Sequence, residues 1–307
     1  MEGGRPAPPS PSPRWRRATV ETTIQLSTTG GSVWGAAEAA IDFFEQHWDA
    51  LVPFHPSSAR PLRVLELGAG CGKLGLTVAL NNGPGAANAS VLLTEQPDGL
   101  AHLERNVRLN TAEGGAIGAD ARAVACNWGD FDGNRGAADG EKAGEDSRGE
   151  DEGDDCDKDD ALWRSCTRVA PESLPRADVI IGSDLIYLPE GARALPRTIA
   201  ALLRAGRRRR RRRGAGKTSA SGCCGGGEDL PDTVAFYAHT RHRFDALDVA
   251  LEEECVACGL EMVELDPATG LAWGADGDGR GRRPSSPPPF TQLFPEHRVA
   301  IYRLTLA

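Results

Sequence analysis

Val64-Leu65-Glu66-Leu67-Gly68-Ala69-Gly70-Cys71-Gly72, continued by Lys73-Leu74-Gly75-Leu76-Thr77-Val78-Ala79-Leu80, reads as an apolar strand holding one acidic residue, then three glycines at alternate positions, then a helix. Strand, glycine turn and helix in that order make a cradle for a nucleotide-type cofactor. Glycine lets the chain turn sharply, and the missing Cβ lets a ligand approach the main chain at the helix start. Gly70, Gly72 and Gly75 also satisfy the dinucleotide fingerprint G-x-G-x-x-G, so the glycines alone do not decide which cofactor is held, or whether the turn is merely tight.

Working outward, the 307 residues leave room for one large or two small domains. Biased segments narrow this. Residues 1–18 are Pro/Arg/Ser-rich, 132–160 Gly/Asp/Glu-rich, 206–229 join an arginine run to Gly/Ser, and 274–289 are Gly/Arg/Pro-rich, none with apolar periodicity. What remains, roughly 200–220 residues, suits one α/β domain. The expected organisation is a disordered segment over 1–18 and one domain over 19–306 with inserts at 132–160, 206–229 and 267–297. The net charge of −9 is unevenly placed, with the acidic cluster at 141–160 and Arg207–Arg213 in separate inserts, so the overall value says little about the fold or its partner.

No apolar run reaches the ~18–20 residues of a membrane span, and the first residues lack the apolar core of a secretory signal. A soluble cytoplasmic protein is expected, with the nucleus as the alternative that the arginine run leaves open. The eight cysteines show no evenly spaced disulfide pattern. Cys255-x-x-Cys258 has no second pair or histidine cluster beside it and reads as two core cysteines, and no metal is expected.

Apolar strands recur at 63–67, 90–94, 121–126, 177–182, 233–239, 259–265 and 298–306, with helical patterns at 34–50, 73–82, 97–110, 190–204 and 242–258. Alternation of strand and helix predicts a doubly wound parallel sheet with its ligand at the C-terminal strand ends. No helix pattern separates the final two strands, which predicts an antiparallel pair.

Residues able to carry chemistry gather at those strand ends. Glu95 closes the second strand, where its carboxylate can accept hydrogen bonds from two ribose hydroxyls; next to Pro97 it also fits a helix-start carboxylate. Trp128 follows the third strand, either over a cofactor's base or as an aromatic plug. Ser183, Asp184 and Tyr187 follow the fourth strand, which a doubly wound order sets beside the glycine loop; an aspartate there is otherwise a helix cap. Trp34 opens the first helix, as a pocket wall or an anchor.

Taken together, Val33-Trp34-Gly35-Ala36-Ala37, Glu66-x-Gly68-x-Gly70-x-Gly72, Leu93-Thr94-Glu95, Leu103-x-x-Asn106-x-x-x-Asn110, Trp128-Gly129 and Asp184-Leu185-Ile186-Tyr187 resemble one family. This is the seven-strand protein lysine methyltransferases called methyltransferase family 16, whose D-x-x-Y signature the last stretch matches. The resemblance runs from about Thr22 to Leu306 outside the inserts. It implies a Rossmann-like class I methyltransferase fold and S-adenosylmethionine (SAM) as cofactor. Trp34, Gly68, Ala69, Gly70, Glu95, Trp128 and Ser183 would contact SAM, with Glu66 and Gly72 completing its motif, and Asp184 and Tyr187 would border the transfer channel as the candidate catalytic pair. Glu95 departs from the aspartate of many members, and Asn127 from a usual apolar residue. The implied partner is a protein presenting a lysine, such as a chaperone or translation factor; a histidine or small-molecule acceptor, or a noncatalytic SAM-binding adaptor, would use the same cofactor half. Arg207–Arg213 reads as a solvated loop, with a nucleic-acid contact as its alternative.

Overall fold

The parallel core of the sheet follows from residues apolar on both sides of each strand. In a computed structural model describing residues 15–26, 29–52, 61–82, 89–111, 120–128, 174–215, 232–241, 244–273 and 298–307, with backbone alone at 208–215, seven strands form one sheet. They are β1 (Leu62–Leu67), β2 (Ala89–Glu95), β3 (Asp120–Ala125), β4 (Val179–Ser183), β5 (Val234–Thr240), β6 (Leu260–Leu265) and β7 (Val299–Leu306), in the order β3-β2-β1-β4-β5-β7-β6. β7 runs antiparallel to both β5 and β6, and the other pairings are parallel. The anticipated fold, a doubly wound seven-strand α/β sheet ending in an antiparallel pair, is the one observed.

Five helices flank the described sheet: α1 (Gly35–Leu51), α2 (Lys73–Asn81), α3 (Leu100–Thr111), α4 (Pro189–Ala215) and α5 (Asp245–Ala257). Strand residues alternate between two apolar clusters. Val64, Val91, Leu93, Val179, Ile181 and Phe236 pack on α1 to α3, while Leu65, Leu92, Ile180 and Tyr237 pack on α4 and α5. On the first face, Phe44 meets Trp48 and Phe236 edge-on, and Trp15 reaches Trp48 at 5.7 Å.

Two boundaries differ from the sequence reading. Residues 15–18, assigned to a disordered segment, are packed: Ala18 is buried and its N–H donates to Thr77 Oγ1, while the Trp15 N–H donates to Glu45. A tryptophan and an alanine supply the apolar contact that the neighbouring prolines hide. Residues 206–215, assigned to a low-complexity insert, continue α4, because arginine favours helix even without an apolar stripe. The insert at 132–160, and residues 1–14, 216–229 and 274–297, lie outside the described residues. No described helix is long and apolar enough to cross a membrane.

The N-terminal segment is tied down by side-chain amides rather than by strand pairing. Asn106 Oδ1 accepts the Glu21 N–H, and its Nδ2 reaches both the Glu21 and the Cys71 carbonyls. Asn110 makes the same two-way contact with Thr19, so α3 holds both the leading segment and the glycine loop. Asn106→Ala leaves these buried groups without partners and should cost about 1–3 kcal/mol. Urea denaturation, read as a lowered midpoint at unchanged slope, checks it.

Candidate functional site

The turn after β1 runs through left-handed backbone at Gly68 (φ 58°), Gly70 (φ 56°) and Gly72 (φ 78°). Space matters as much as conformation there. A Cβ on Gly68 would run into Leu185, and one on Gly70 would press on the Gly30 backbone at 3.1 Å. The loop is thus enclosed by the chain entering α1 on one side and by the segment following β4 on the other.

Glu66 explains the third glycine of the fingerprint. Its side chain leaves β1 toward α2, and Oε2 accepts the Gly75 N–H at 3.0 Å, capping a helix whose first flanking residue, Gly72, has no side chain to do so. A Cβ on Gly75 would collide with that same oxygen. Burial pushes the Glu66 carboxyl up to about 8, opposed by the Gly75 hydrogen bond and assisted by the negative charge of Glu95.

Glu95, at the end of β2, reaches back to the loop. Oε2 accepts the Gly70 N–H at 2.6 Å and Oε1 accepts the Gln96 N–H at 2.9 Å. Burial raises its pKa, and these two N–H groups pull it down. Each carboxylate oxygen retains a further lone pair, so the group can still accept two hydroxyls from a ligand. Its contacts are to the glycine loop and to its own chain neighbour.

Register sets the fourth strand beside the loop: Leu67 lies opposite Gly182, and Ser183 opposite Ala238. Asp184 follows with φ 49°, the one non-glycine positive φ among the described residues. Such backbone costs on the order of 1–3 kcal/mol and persists only where neighbours fix it. Here the Asp184 N–H donates to the Ala238 carbonyl, while its Oδ1 and Oδ2 accept the Thr240 N–H and Oγ1–H, each at 2.9 Å.

These elements surround an open cleft. Trp34, Glu66, Gly68, Ala69, Gly70, Glu95, Trp128, Ser183, Asp184 and Tyr187 all line it, whereas Gly72 lies just behind, packed under Leu103 and Leu76. Thr29, Gly30, Ser32, Val33, Lys73 and Gln96 also line it and were not singled out in the sequence. Trp34 stands at the mouth with its indole N–H on the Thr29 carbonyl, and the Trp128 indole faces Gly68 while its carbonyl accepts the Thr198 hydroxyl. Thr240, which holds Asp184, was also missed, although the strand order places the end of β5 next to the end of β4.

Other candidates belong to the core. Cys255 is buried with Sγ 3.9 Å from Met262 Sδ, and burial pushes its thiol up to about 12; Cys258 ends α5 against Glu254. Among the described residues no group of three or more His, Cys, Asp or Glu could hold a metal ion.

The residues present fit a SAM-type cofactor: a glycine loop lining the cleft, a carboxylate with spare acceptors, an indole beside Gly68, and a second carboxylate across the cleft. A family model described as lysine methyltransferase matches residues 19–135. That stretch holds Trp34, the glycine loop, Glu95 and Trp128, and stops before Asp184 and Tyr187, so the resemblance read from the motifs is met over the cofactor half. The EEF1A lysine methyltransferase 3 of Mus musculus is 36% identical over 97 residues, which are 32% of this chain and 34% of that protein. The chain thus matches about a third of the length of that relative. Among solved structures, a human methyltransferase 10 domain containing protein aligns with TM-score 0.40 and 9% identity over 94% of this chain and 89% of that one. The CMeT domain of the citrinin polyketide synthase aligns with TM-score 0.41 and 10% identity over 87% and 52%. Neither of these distant likenesses bears on a residue of the site.

A carboxyl raised in the fold binds a proton that the unfolded chain has already lost, so Glu66 makes stability fall as pH rises from about 4.5 to about 8. Glu66→Gln keeps an acceptor for the Gly75 N–H and removes the titration. Relative to wild type it should gain thermal midpoint steadily across that window and then level off, as melts at a series of pH values without added ligand would show. A difference independent of pH would mean that Glu66 does not titrate there.

Proposed function

We propose that this chain is a SAM-dependent methyltransferase acting on a lysine side chain of a protein. The observation that carries the reading is the cleft itself, in which Glu95, bonded to the glycine loop, and Asp184, bonded to Thr240, face a shared space from the ends of β2 and β4, on either side of β1. The match to a lysine methyltransferase family model supports it over the cofactor half. The Asp184-x-x-Tyr187 stretch supports it over the other half by its resemblance to that family's signature. The mouse relative bears EEF1A in its name, which makes a translation factor the first acceptor to try, and a cytoplasmic site of action belongs to the same reading.

In this reading Glu95 would hold the ribose hydroxyls, with the Gly68–Gly70 main chain, Trp128 and Trp34 completing the cofactor's site. When bound, SAM supplies a methyl group on a positively charged sulfur, open to in-line attack by an amine. The task left to the protein is presentation of a neutral amine, since a free lysine holds its proton up to about 10.4. A partly dry channel disfavours the ammonium and lowers that value, whereas a carboxylate beside it raises it. Asp184 is held by two hydrogen bonds from Thr240, and its charge orients the incoming nitrogen and stabilises its positive charge. Tyr187 shapes the channel wall, and the proton leaves to water.

Incubation with radiolabelled SAM and a hypomethylated cell extract, followed by identification of the labelled residue, tests the acceptor. Label on a lysine is expected. Label on a histidine or a small molecule overturns the lysine assignment, and SAM binding with no label points to an adaptor. With the acceptor in hand, Asp184→Asn fits the same site, its Oδ1 on the Thr240 N–H and its Nδ2 on Oγ1, but loses the charge. Turnover should fall at least about tenfold, each tenfold being ~1.4 kcal/mol of barrier, with SAM affinity little changed. Glu95→Ala should do the reverse and weaken SAM binding by roughly 1.5–3 kcal/mol.

A further inference from the structure

Behind the Asp184 turn, three polar side chains lie in a row inside the apolar layer between β5 and α5. Tyr237 and His239 alternate along β5, so they share a face, and their rings stack at 5.4 Å. The Tyr237 hydroxyl is 3.2 Å from the Leu185 backbone nitrogen and 3.1 Å from His239 Nδ1. His239 Nε2 is 2.7 Å from Asp248 Oδ1 on α5. Exposure is 1% for Tyr237, 4% for His239 and 6% for Asp248.

Donor bookkeeping gives the row a direction. A backbone amide only donates, so the Tyr237 oxygen accepts from Leu185, and from Ile186 beside it. The hydroxyl proton then goes to Nδ1, which leaves Nε2 with a proton to give to the Asp248 carboxylate. We infer that the Tyr237–His239–Asp248 relay positions the Asp184-Leu185 turn for methyl transfer, with His239 as the Nε2–H tautomer. The inference rests on the methyl-transfer reading of the cleft.

Burying three such groups is costly unless every one is satisfied, and apolar residues would fill the same layer without that demand. The row ends on the peptide that follows the strained residue of the site. β5 thereby fixes that residue from three directions: Ala238 takes its N–H, Thr240 takes its carboxylate, and Tyr237 takes the next amide. Burial raises the Tyr237 pKa well above the ordinary tyrosine value, with the Asp184 charge adding to it, so the hydroxyl keeps the proton the chain requires. These residues touch no substrate, and their part is positioning.

The test uses the full chain, ¹⁵N-labelled, with Tyr237→Phe, Asp248→Asn and Asp248→Leu. Long-range ¹H–¹⁵N spectra of wild type should show His239 protonated on Nε2 and not on Nδ1; a proton on Nδ1 overturns the relay. Tyr237→Phe removes one oxygen and should lower kcat on the order of 10–100-fold while KM for SAM stays within about twofold. Asp248→Asn, which keeps an acceptor for Nε2–H, should stay within about threefold of wild type, whereas Asp248→Leu should fall with Tyr237→Phe. Near-wild-type kcat in a folded Tyr237→Phe, or equal losses in the two Asp248 variants, contradicts the inference. If wild type transfers no methyl group, the functional reading fails separately, and the relay is judged by spectra alone. Loss of exchange protection at the Leu185 amide and a shifted Asp184 signal in Tyr237→Phe, or in Asp248→Leu if the first variant does not fold, supports it, and unchanged signals refute it.

Discussion

A carboxyl group carried inside β1 reaches across to the start of α2, and the shape of the site depends on that contact. Glu66 takes the Gly75 N–H where the helix has no capping side chain of its own, which draws α2 close enough to exclude a Cβ at Gly75. The turn that connects them takes left-handed backbone at Gly68, Gly70 and Gly72. The Gly70 amide then points at Glu95, which ties the loop to the end of β2. Burial of Glu66 is unfavourable for a charge, and its proton is the compensation.

The second half of the cleft is built by the same means, a carboxylate against backbone amides. Asp184 occupies strained backbone that no side chain of its own loop explains, and β5 supplies the restraints. Parallel pairing of β4 with β5 brings Ser183 level with Ala238, so the residues just beyond meet without any long connection. Sheet order therefore assembles the site: β2, β1, β4 and β5 are neighbours, and their C-terminal ends carry Glu95, the glycine loop, Asp184 and Thr240.

Much of this was legible in the sequence, for identifiable reasons. Strands apolar on both faces, bounded by glycine or polar turns, mark a parallel sheet, and all seven were found. The antiparallel end followed from a sequence with no helical pattern between the last two strands. Helix ends were less legible: Pro97-Asp98-Gly99 forms a turn that delays α3 to Leu100, and the arginine run extends α4 although it lacks apolar periodicity. Trp15 and Ala18 were hidden among prolines. Every cleft residue anticipated from the motifs lines the cleft or, for Gly72, supports it. Thr240, Tyr237, His239 and Asp248 were not legible because their roles exist only across strands, and nothing in a single stretch marks them.

The central claim is that the glycine loop and Glu95 receive SAM, and calorimetric titration of the full chain with SAM and, separately, with NAD tests it most directly. The account predicts saturable one-to-one binding of SAM and none of NAD, with SAM binding abolished in a folded Gly70→Arg variant, whose side chain presses on the Gly30 backbone that lines the same cleft. Binding of NAD without SAM, or unaltered SAM binding by Gly70→Arg, would contradict it.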